Sequence, residues 1–173
     1  MIFLNHILSW DQTIFRYINQ QLKCSSLDRT MPYFTHFGGA RFSILICILL
    51  LWLQSGSFTN IARDTIIALA GSHILVQLIK NFFNRPRPFL VLPEAFVKES
   101  LILKDYSFPS GHTTASVSIA TVFSLYFPIF APLFFILAAV VGISRIYLGL
   151  HYPTDVFIGA VLGFVSALIV FFI

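Results

Sequence analysis

The charged side chains in the last part of the chain are few and regularly placed. Between Tyr106 and Ile173 the only Lys, Arg, Asp or Glu residues are Arg145 and Asp155, and His151 lies between them. A charge in so apolar a segment is costly and is usually retained for function. Because His151 and Asp155 are about one helical turn apart, the carboxylate can accept a hydrogen bond from one ring nitrogen and leave the other as an attacking lone pair. Asp155 could instead cap the last helix or interact with its dipole.

A second group of basic residues follows an apolar segment that is predicted to be a membrane helix. Lys80 precedes Arg87-Pro88 by six intervening residues. An arginine can hold a phosphate through two parallel hydrogen bonds, whereas a lysine contributes a point charge. Basic residues beside a span can also serve only as interface anchors. We expect Lys80 and Arg87 to bind an anion and Arg85 to face solvent.

A third motif, Pro109-Ser110-Gly111-His112, directly precedes a long apolar segment. Gly111 allows a ligand to approach the backbone closely, and the free amide groups at a helix start form an anion site. His112 would then lie beside the bound anion. The alternative is an ordinary turn and helix cap with an incidental histidine.

The composition is that of a membrane protein. The chain has 173 residues, the length of one domain, and is 57% hydrophobic but only 10% charged, against about 25% charged residues in ordinary soluble domains. Val156 to Ile173 carries no charge and is long enough to span a bilayer. Thr113 to Ser144 is too long for one span, and its prolines predict two helices joined at Phe127 to Pro132.

The upstream segments predict further helices. Apolar residues at helical spacing from Trp10 to Leu22 predict an amphipathic helix on the membrane surface, and Phe42 to Leu53 predicts a short membrane helix. Together the segments predict an all-α, polytopic integral membrane helical bundle, with about five to six membrane helices plus an N-terminal amphipathic interfacial helix. We expect the bilayer as a partner, and neither a nucleic acid nor an obligatory protein partner. Cys24 and Cys47 predict no disulfide framework and no metal site.

One predicted helix, Thr65 to Phe83, carries a polar stripe. His73, Gln77, Lys80 and Asn84 follow at steps of four, three and four and share one face. We expect this face to look into the bundle. Contacts with neighbouring helices could satisfy it without any further function.

The three motifs, taken in order, match the signature motifs of the type 2 phosphatidic acid phosphatase (PAP2) family. The matching positions are Lys80 and Arg87-Pro88, then Pro109-Ser110-Gly111-His112, then Ser144-Arg145, His151 and Asp155. Within the family the chain resembles small bacterial membrane enzymes: undecaprenyl-diphosphate phosphatases, lipid A 1-phosphatases and phosphatidylglycerophosphate phosphatases. The resemblance implies a single domain over residues 1–173.

The resemblance also implies a role for each motif residue. His151 would attack phosphorus to form a phosphohistidine, Asp155 would orient it, and His112 would protonate the leaving oxygen and then activate water. The phosphate oxygens would be held by three cations, one hydroxyl and one amide: Lys80, Arg87, Arg145, Ser110 and Gly111. Because three cations supply the positive charge, we expect no metal and no cofactor. The alternative activities on the same fold are a lipid phosphotransferase and a non-hydrolytic lipid-phosphate binder or carrier.

Helices that alternate in direction place all three motifs on one side of the membrane. By family likeness we expect a multi-pass protein of the bacterial plasma membrane, with the site on the periplasmic or outer face. We assign selection of the lipid to Phe89 to Phe108 and to the N-terminal helix. The candidate residues in the first of these segments are Glu94, Lys98, Glu99 and Lys104.

Overall fold

The regular elements of the protein are helices. The computed structural model describes residues 2–53, 57–102 and 104–173, without the side chains of residues 2–5, 7, 57 and 99. The α-helices are α1 (Ile2–Arg16), α2 (Ser25–Phe34), α3 (Ala40–Trp52), α4 (Ser57–Phe83), α5 (Pro88–Val91), α6 (Gly111–Tyr126), α7 (Ala131–Tyr147) and α8 (Pro153–Phe172). A π-helical turn, Tyr17–Gln21, extends α1, and 3-10 turns occupy Thr35–Gly38, Glu99–Leu101 and Pro128–Phe130.

Helix α6 is the centre of the bundle and packs against α4, α7 and α8. Its buried side chains are mostly small, and many carry a hydroxyl group. Several of those hydroxyls donate to backbone carbonyls one turn earlier, as Thr114 does to Ser110 at 3.0 Å and Thr121 does to Val117 at 2.8 Å. Because these hydroxyls are satisfied locally, they need no polar partners on the neighbouring helices, whereas Ser118 Oγ is buried without a partner among the described residues.

Two glycines bring α8 into backbone contact with α6. A Cβ atom on Gly159 would lie 2.7 Å from the Ser110 carbonyl oxygen, and one on Gly163 would lie 2.3 Å from that of Thr114. This is the close approach that small residues at a spacing of four permit between membrane helices. At the same end the Ser110 amide donates to the Asp155 carbonyl at 3.0 Å, so the starts of the two helices are tied together.

Three stretches of the described chain are long and apolar enough to cross a membrane: Phe58–Val91, Pro128–Tyr147 and Pro153–Phe172. Two further helical stretches, Ser25–Gly38 and Ala40–Trp52, meet at a bend of 51°. If these two stretches form one broken span, it is the fourth span of the described chain. Helix α6 has only 16 residues, which is shorter than the usual span. The structure therefore supports three to four spans, and the expected five to six stays a prediction.

The break that the prolines predict between α6 and α7 is confirmed. Helix α6 ends at Tyr126, a 3-10 turn covers Pro128–Phe130, and α7 begins at Ala131. This reversal returns the chain to the side at which α6 begins. The end of α7 and the start of α8 thereby come close to the start of α6.

The N-terminal helix starts earlier than its amphipathic pattern suggests, at Ile2. Trp10 and Ile14 on the predicted apolar face are exposed, as a surface-lying helix requires. The opposite face is buried against the bundle through Asp11, Phe15 and Asn19. Asn19 donates to the carbonyls of Tyr147 at 2.8 Å and Phe96 at 2.9 Å, so α1 is fastened to the end of α7.

The polar stripe on α4 does not look into the bundle as expected. Lys80 is buried, whereas His73 and Gln77 are exposed to a cleft between α3 and α4, and their Nε2 atoms lie 3.5 Å apart. Asn84 has a φ of 47° and lies just beyond the end of α4. That left-handed conformation is one that asparagine tolerates and that commonly ends a helix.

Candidate active site

Three buried cations lie at one end of the bundle. Lys80 is near the end of α4, Arg87 precedes α5, and Arg145 is in the last turn of α7; their exposed fractions are 4%, 0% and 2%. Arg145 NH1 donates to Thr35 Oγ1 at 2.7 Å, but Arg145 Nε and NH2 are buried and meet no acceptor among the described residues. Burying a guanidinium with unused donors is costly. Such a group favours a bound anion.

The segment that precedes α6 orients the other two cations. Lys80 Nζ donates to the Tyr106 carbonyl at 2.9 Å and to the Asp105 carboxylate. Arg87 donates through Nε to the Asp105 carbonyl at 2.9 Å, through NH2 to Asp105 Oδ1 at 2.6 Å, and through NH1 to the Leu150 carbonyl at 2.8 Å. Burial alone would raise the pKa of Asp105, but the hydrogen bonds and charges of Lys80 and Arg87 outweigh it and lower that pKa to about 2.

Asp105 is a site residue that the sequence motifs do not predict. It lies outside all three motifs, in a connecting segment that also contains four other charged side chains from Glu94 to Lys104. Its only signal is its position four residues before Pro109, in the segment that joins the first two motifs. The contact of Asp105 with both Lys80 and Arg87 can be seen only in the folded structure.

His151 is buried with its two ring nitrogens in different surroundings. Nε2 lies 3.1 Å from Arg87 NH1, and Nδ1 lies 3.6 Å from Asp155 Oδ2. The second distance is too long for a hydrogen bond, and Nδ1 has no partner within the described part of the chain. Burial, followed by the charges of Arg145, Arg87 and Lys80, lowers the pKa of His151 below its usual value. This shift favours the neutral ring, and Nε2 faces the cations.

The Asp155 carboxylate is held by several donors. It accepts hydrogen bonds from Ser107 Oγ, from the Tyr152 amide at 2.8 Å and from Arg85 NH1 at 2.6 Å. The Tyr152 contact completes a capping box at the start of α8. The predicted capping role of Asp155 and its position beside His151 are therefore compatible.

Arg85 does not face solvent, and that expectation is wrong. Its side chain is 19% exposed, and its NH2 contacts Asp11 Oδ2 at 2.6 Å while its NH1 contacts Asp155. Asp11 also accepts from the Thr154 amide at 2.9 Å. Asp11 lies far away in the sequence, on an amphipathic helix where an acidic residue is expected to be solvated. Its pairing with Arg85 connects α1 to the start of α8.

The start of α6 brings His112 to the same place. Ser110 Oγ lies 2.9 Å from Thr113 Oγ1 and 3.5 Å from the Thr113 amide, so this hydroxyl already caps the helix. A Cβ atom on Gly38 would lie 2.5 Å from the His112 carbonyl oxygen, and one on Gly39 would lie 3.5 Å from His112 Nε2. The turn at Gly38-Gly39 thus packs directly on His112, and only a small residue fits there.

The site opens into a cleft of about 700 Å³ between α3 and α4. Its walls are largely apolar, with Ile44, Ile48 and Leu51 from α3 and Ile66 and Leu69 from α4. Its polar end is lined by the residues Lys80, Arg87, Asp105, Gly111, His112 and His151. The predicted residues Ser110, Arg145 and Asp155 are buried beside that end. The cleft therefore has the shape and polarity to take an anionic group that carries an apolar chain.

The candidate substrate-selecting residues lie apart from this cluster. Arg16 Nε donates to Glu94 Oε1 at 2.9 Å, so Glu94 fastens its segment to α1. Lys98 and Lys104 are exposed, and the side chain of Glu99 lies outside the described ones. The assignment of lipid selection to residues 89–108 stays a prediction.

Comparisons with known proteins point to one family. The family model described as the PAP2 superfamily matches residues 62–173. The chain is 33% identical over 160 residues to the bacitracin transport permease protein BcrC of Bacillus licheniformis, covering 91% of this chain and 77% of the relative. It is 31% identical over 139 residues to the undecaprenyl-diphosphatase BcrC of Bacillus subtilis, covering 76% of this chain and 67% of the relative. The crystal structure of Aquifex aeolicus LpxE superimposes with a TM-score of 0.82 at 31% identity, covering 94% of each chain.

Proposed function

The chain belongs to the PAP2 superfamily, and on that premise we propose that it is a multi-pass membrane enzyme that hydrolyses a lipid phosphate through a phosphohistidine. The observation that carries the proposal is the polar end of the cleft. Two histidines and two cations line one end of a cavity whose walls are apolar, and a third cation with unused donors lies beside them. Residues 1–173 form one domain in this proposal.

The first step is attack on phosphorus by His151 Nε2. A nitrogen–phosphorus bond forms, the bond from phosphorus to the lipid oxygen breaks, and His112 donates its proton to that oxygen. Asp155, which faces Nδ1 at 3.6 Å, stabilises the positive charge that the ring acquires.

The second step returns the enzyme to its starting state. His112, now neutral, takes a proton from water, and the resulting hydroxide attacks phosphorus and releases inorganic phosphate from His151. In both steps Lys80, Arg87 and Arg145 hold the oxygens on which transition-state charge accumulates, together with the Gly111 amide. The Ser110 hydroxyl supports that amide by capping α6. Because three cations supply this charge, the proposed reaction needs neither a metal nor a cofactor.

The proposed substrate is undecaprenyl diphosphate, because a relative that covers three quarters of this chain is an undecaprenyl-diphosphatase. Lipid A 1-phosphate and phosphatidylglycerophosphate are the alternatives that have the same terminal phosphate. A lipid chain in the cleft between α3 and α4 would place that phosphate beside His151. The proposed location is the bacterial plasma membrane, with the site at its periplasmic or outer face.

The test is phosphate release by the purified full chain in detergent. Undecaprenyl diphosphate, lipid A and phosphatidylglycerophosphate are supplied at equal mole fraction, and inorganic phosphate is measured with time. We expect release from at least one lipid, fastest from undecaprenyl diphosphate. Transfer of the phosphoryl group to an added alcohol without release would identify a phosphotransferase. Binding of the lipids without either reaction would identify a carrier and overturn the proposal.

A further inference from the structure

The Asp105 carboxylate lies between two of the cations assigned to the substrate phosphate. Its Oδ2 accepts from Lys80 Nζ and its Oδ1 accepts from Arg87 NH2 at 2.6 Å. It lines the same end of the cleft as His112 and His151. A carboxylate is thus held by the donors that the proposed reaction requires for phosphate.

The donors on these two cations are limited. Arg87 Nε and NH1 are already committed to the backbone carbonyls of Asp105 and Leu150, at 2.9 and 2.8 Å. Lys80 Nζ commits one of its three protons to the Tyr106 carbonyl at 2.9 Å. Arg87 NH2 reaches the same carbonyl only at 3.3 Å, and its shorter bond goes to Asp105 Oδ1. A phosphate oxygen that is to be held by Arg87 NH2 must therefore take the place of the carboxylate.

We propose that Asp105 sets the threshold for binding at this site: it competes with every phosphate ligand for Lys80 and Arg87, so that a dianionic terminal phosphate is still held and a monoanionic phosphodiester is not. The inference rests on the proposed function, because it concerns the same phosphate site. Exchange of the carboxylate for a phosphodiester replaces one negative charge with one negative charge and gains little. A terminal phosphate carries about 1.5 to 2 negative charges near neutral pH, so the cations favour it over the carboxylate.

The membrane supplies the reason for such a residue. Bilayer phospholipids are mostly phosphodiesters, and they surround the cleft in large excess over any terminally phosphorylated lipid. Three buried cations without a competing anion would attract those headgroups. Rejecting an abundant wrong ligand by an unfavourable exchange is a general route to specificity. The low pKa of Asp105 keeps the competing charge in place at every pH at which terminal phosphates are dianionic.

The test compares two small ligands that do not turn over. Methylphosphonate is dianionic at mildly alkaline pH, and dimethyl phosphate is a monoanionic diester; 31P NMR line broadening gives the affinity of each for the purified full chain. We expect the wild-type protein to prefer methylphosphonate. In Asp105→Asn we expect both ligands to gain affinity about tenfold, which corresponds to about 1.4 kcal/mol, because neither then has to displace a carboxylate. Asp28→Asn is the matched control, since Asp28 is a carboxylate that pairs with Lys23 instead; it should leave both affinities unchanged.

The outcomes separate this inference from the proposed function. If the wild-type protein binds methylphosphonate and Asp105→Asn leaves both affinities unaltered, Asp105 does not compete with ligands, although the phosphate site stands. Weaker binding of both ligands to Asp105→Asn in equal proportion would mean that Asp105 only positions the cations, and would also overturn the inference. If the wild-type protein binds neither ligand, the phosphate site itself is wrong. Asp105→Ser provides the same comparison should the asparagine variant not fold, as judged by its melting temperature.

Discussion

Replacement of Arg85 with glutamine tests the connection between the N-terminal helix and the active site. Arg85 contacts the carboxylates of Asp11 and Asp155 at 2.6 Å each, and those side chains are 1% and 0% exposed. Its guanidinium also lies 4.0 Å from the centre of the Tyr152 ring. Removing one partner from a buried ion pair costs about 3–5 kcal/mol. Because Arg85 is 19% exposed, water can replace part of the contact, and we expect a value of about 3 kcal/mol.

This loss is measured as a melting temperature in detergent. For a chain of this size a change of 1 kcal/mol corresponds to about 2–4 °C, so Arg85→Gln should melt about 6–12 °C below the wild-type protein. Arg16→Gln is the matched control, because it removes an arginine from an exposed ion pair with Glu94; we expect no resolvable change. In the double variant Asp11→Asn, Arg85→Gln, the decrease in melting temperature should be smaller than the sum of the two single decreases, because both substitutions remove the same ion pair.

The same variant should lose activity through Asp155. Without Arg85, the Asp155 carboxylate keeps its contacts with Ser107 and Tyr152 but loses its only cationic partner among the described residues. We expect kcat to fall about tenfold, or about 1.4 kcal/mol in activation free energy, with KM nearly unchanged. A melting temperature within about 1 °C of wild type, together with an unaltered kcat, would show that Arg85 is solvated in the working protein. It would refute the ion pairs of Arg85 with Asp11 and Asp155.

Three further predictions concern the metal, the packing and the charge of the site. Saturating chelator should leave phosphate release nearly unchanged while orthovanadate inhibits it; loss in chelator that magnesium restores would contradict the three-cation mechanism. Gly163→Ala should lower the melting temperature by several degrees because its Cβ would lie 2.3 Å from the Thr114 carbonyl oxygen, whereas Gly71→Ala, with nothing within 4 Å, should not lower it. The pKa of Asp105 is about 2 in the folded protein, against an ordinary value of 3.8. The stabilising effect of its carboxylate is therefore complete above about pH 4 and is lost as the pH falls toward 2. Asp105→Asn should remove that part of the acid-unfolding profile.

The sequence predicts which residues come together because charge is rare where these residues lie. Arg145, His151 and Asp155 stand out in an apolar segment, since burial makes each of them costly. Lys80, Arg87 and His112 stand out through their spacing and their positions at helix ends. The structure brings all of these together at one end of the bundle, and the proline-containing break between α6 and α7 is where the apolar pattern places it.

The partners of these residues could not be predicted, because the choice of partner is made by the folded chain. Asp105 and Asp11 lie in polar stretches where most charges are solvated, and no local pattern separates them from Glu94. Arg85 and Arg87 lie in the same short basic stretch. Their spacing alone therefore does not predict that Arg85 pairs with Asp11. The number of spans could not be predicted for a related reason: α6 is short, and its buried side chains are small and hydroxylated rather than large and apolar.

Trapping of the phosphoenzyme tests directly whether His151 is the nucleophile. The purified protein is incubated with a terminally labelled lipid phosphate and quenched in alkali, and the label on protein is assayed for the acid-labile, base-stable behaviour of a phosphohistidine. His6→Ala, an exposed histidine on α1, controls for nonspecific loss and should behave as wild type. We expect His112→Ala to accumulate label, because the water step is slowed, and His151→Ala to carry no label and to release no phosphate. Phosphate release by a folded His151→Ala protein at a rate near wild type would contradict this role of His151.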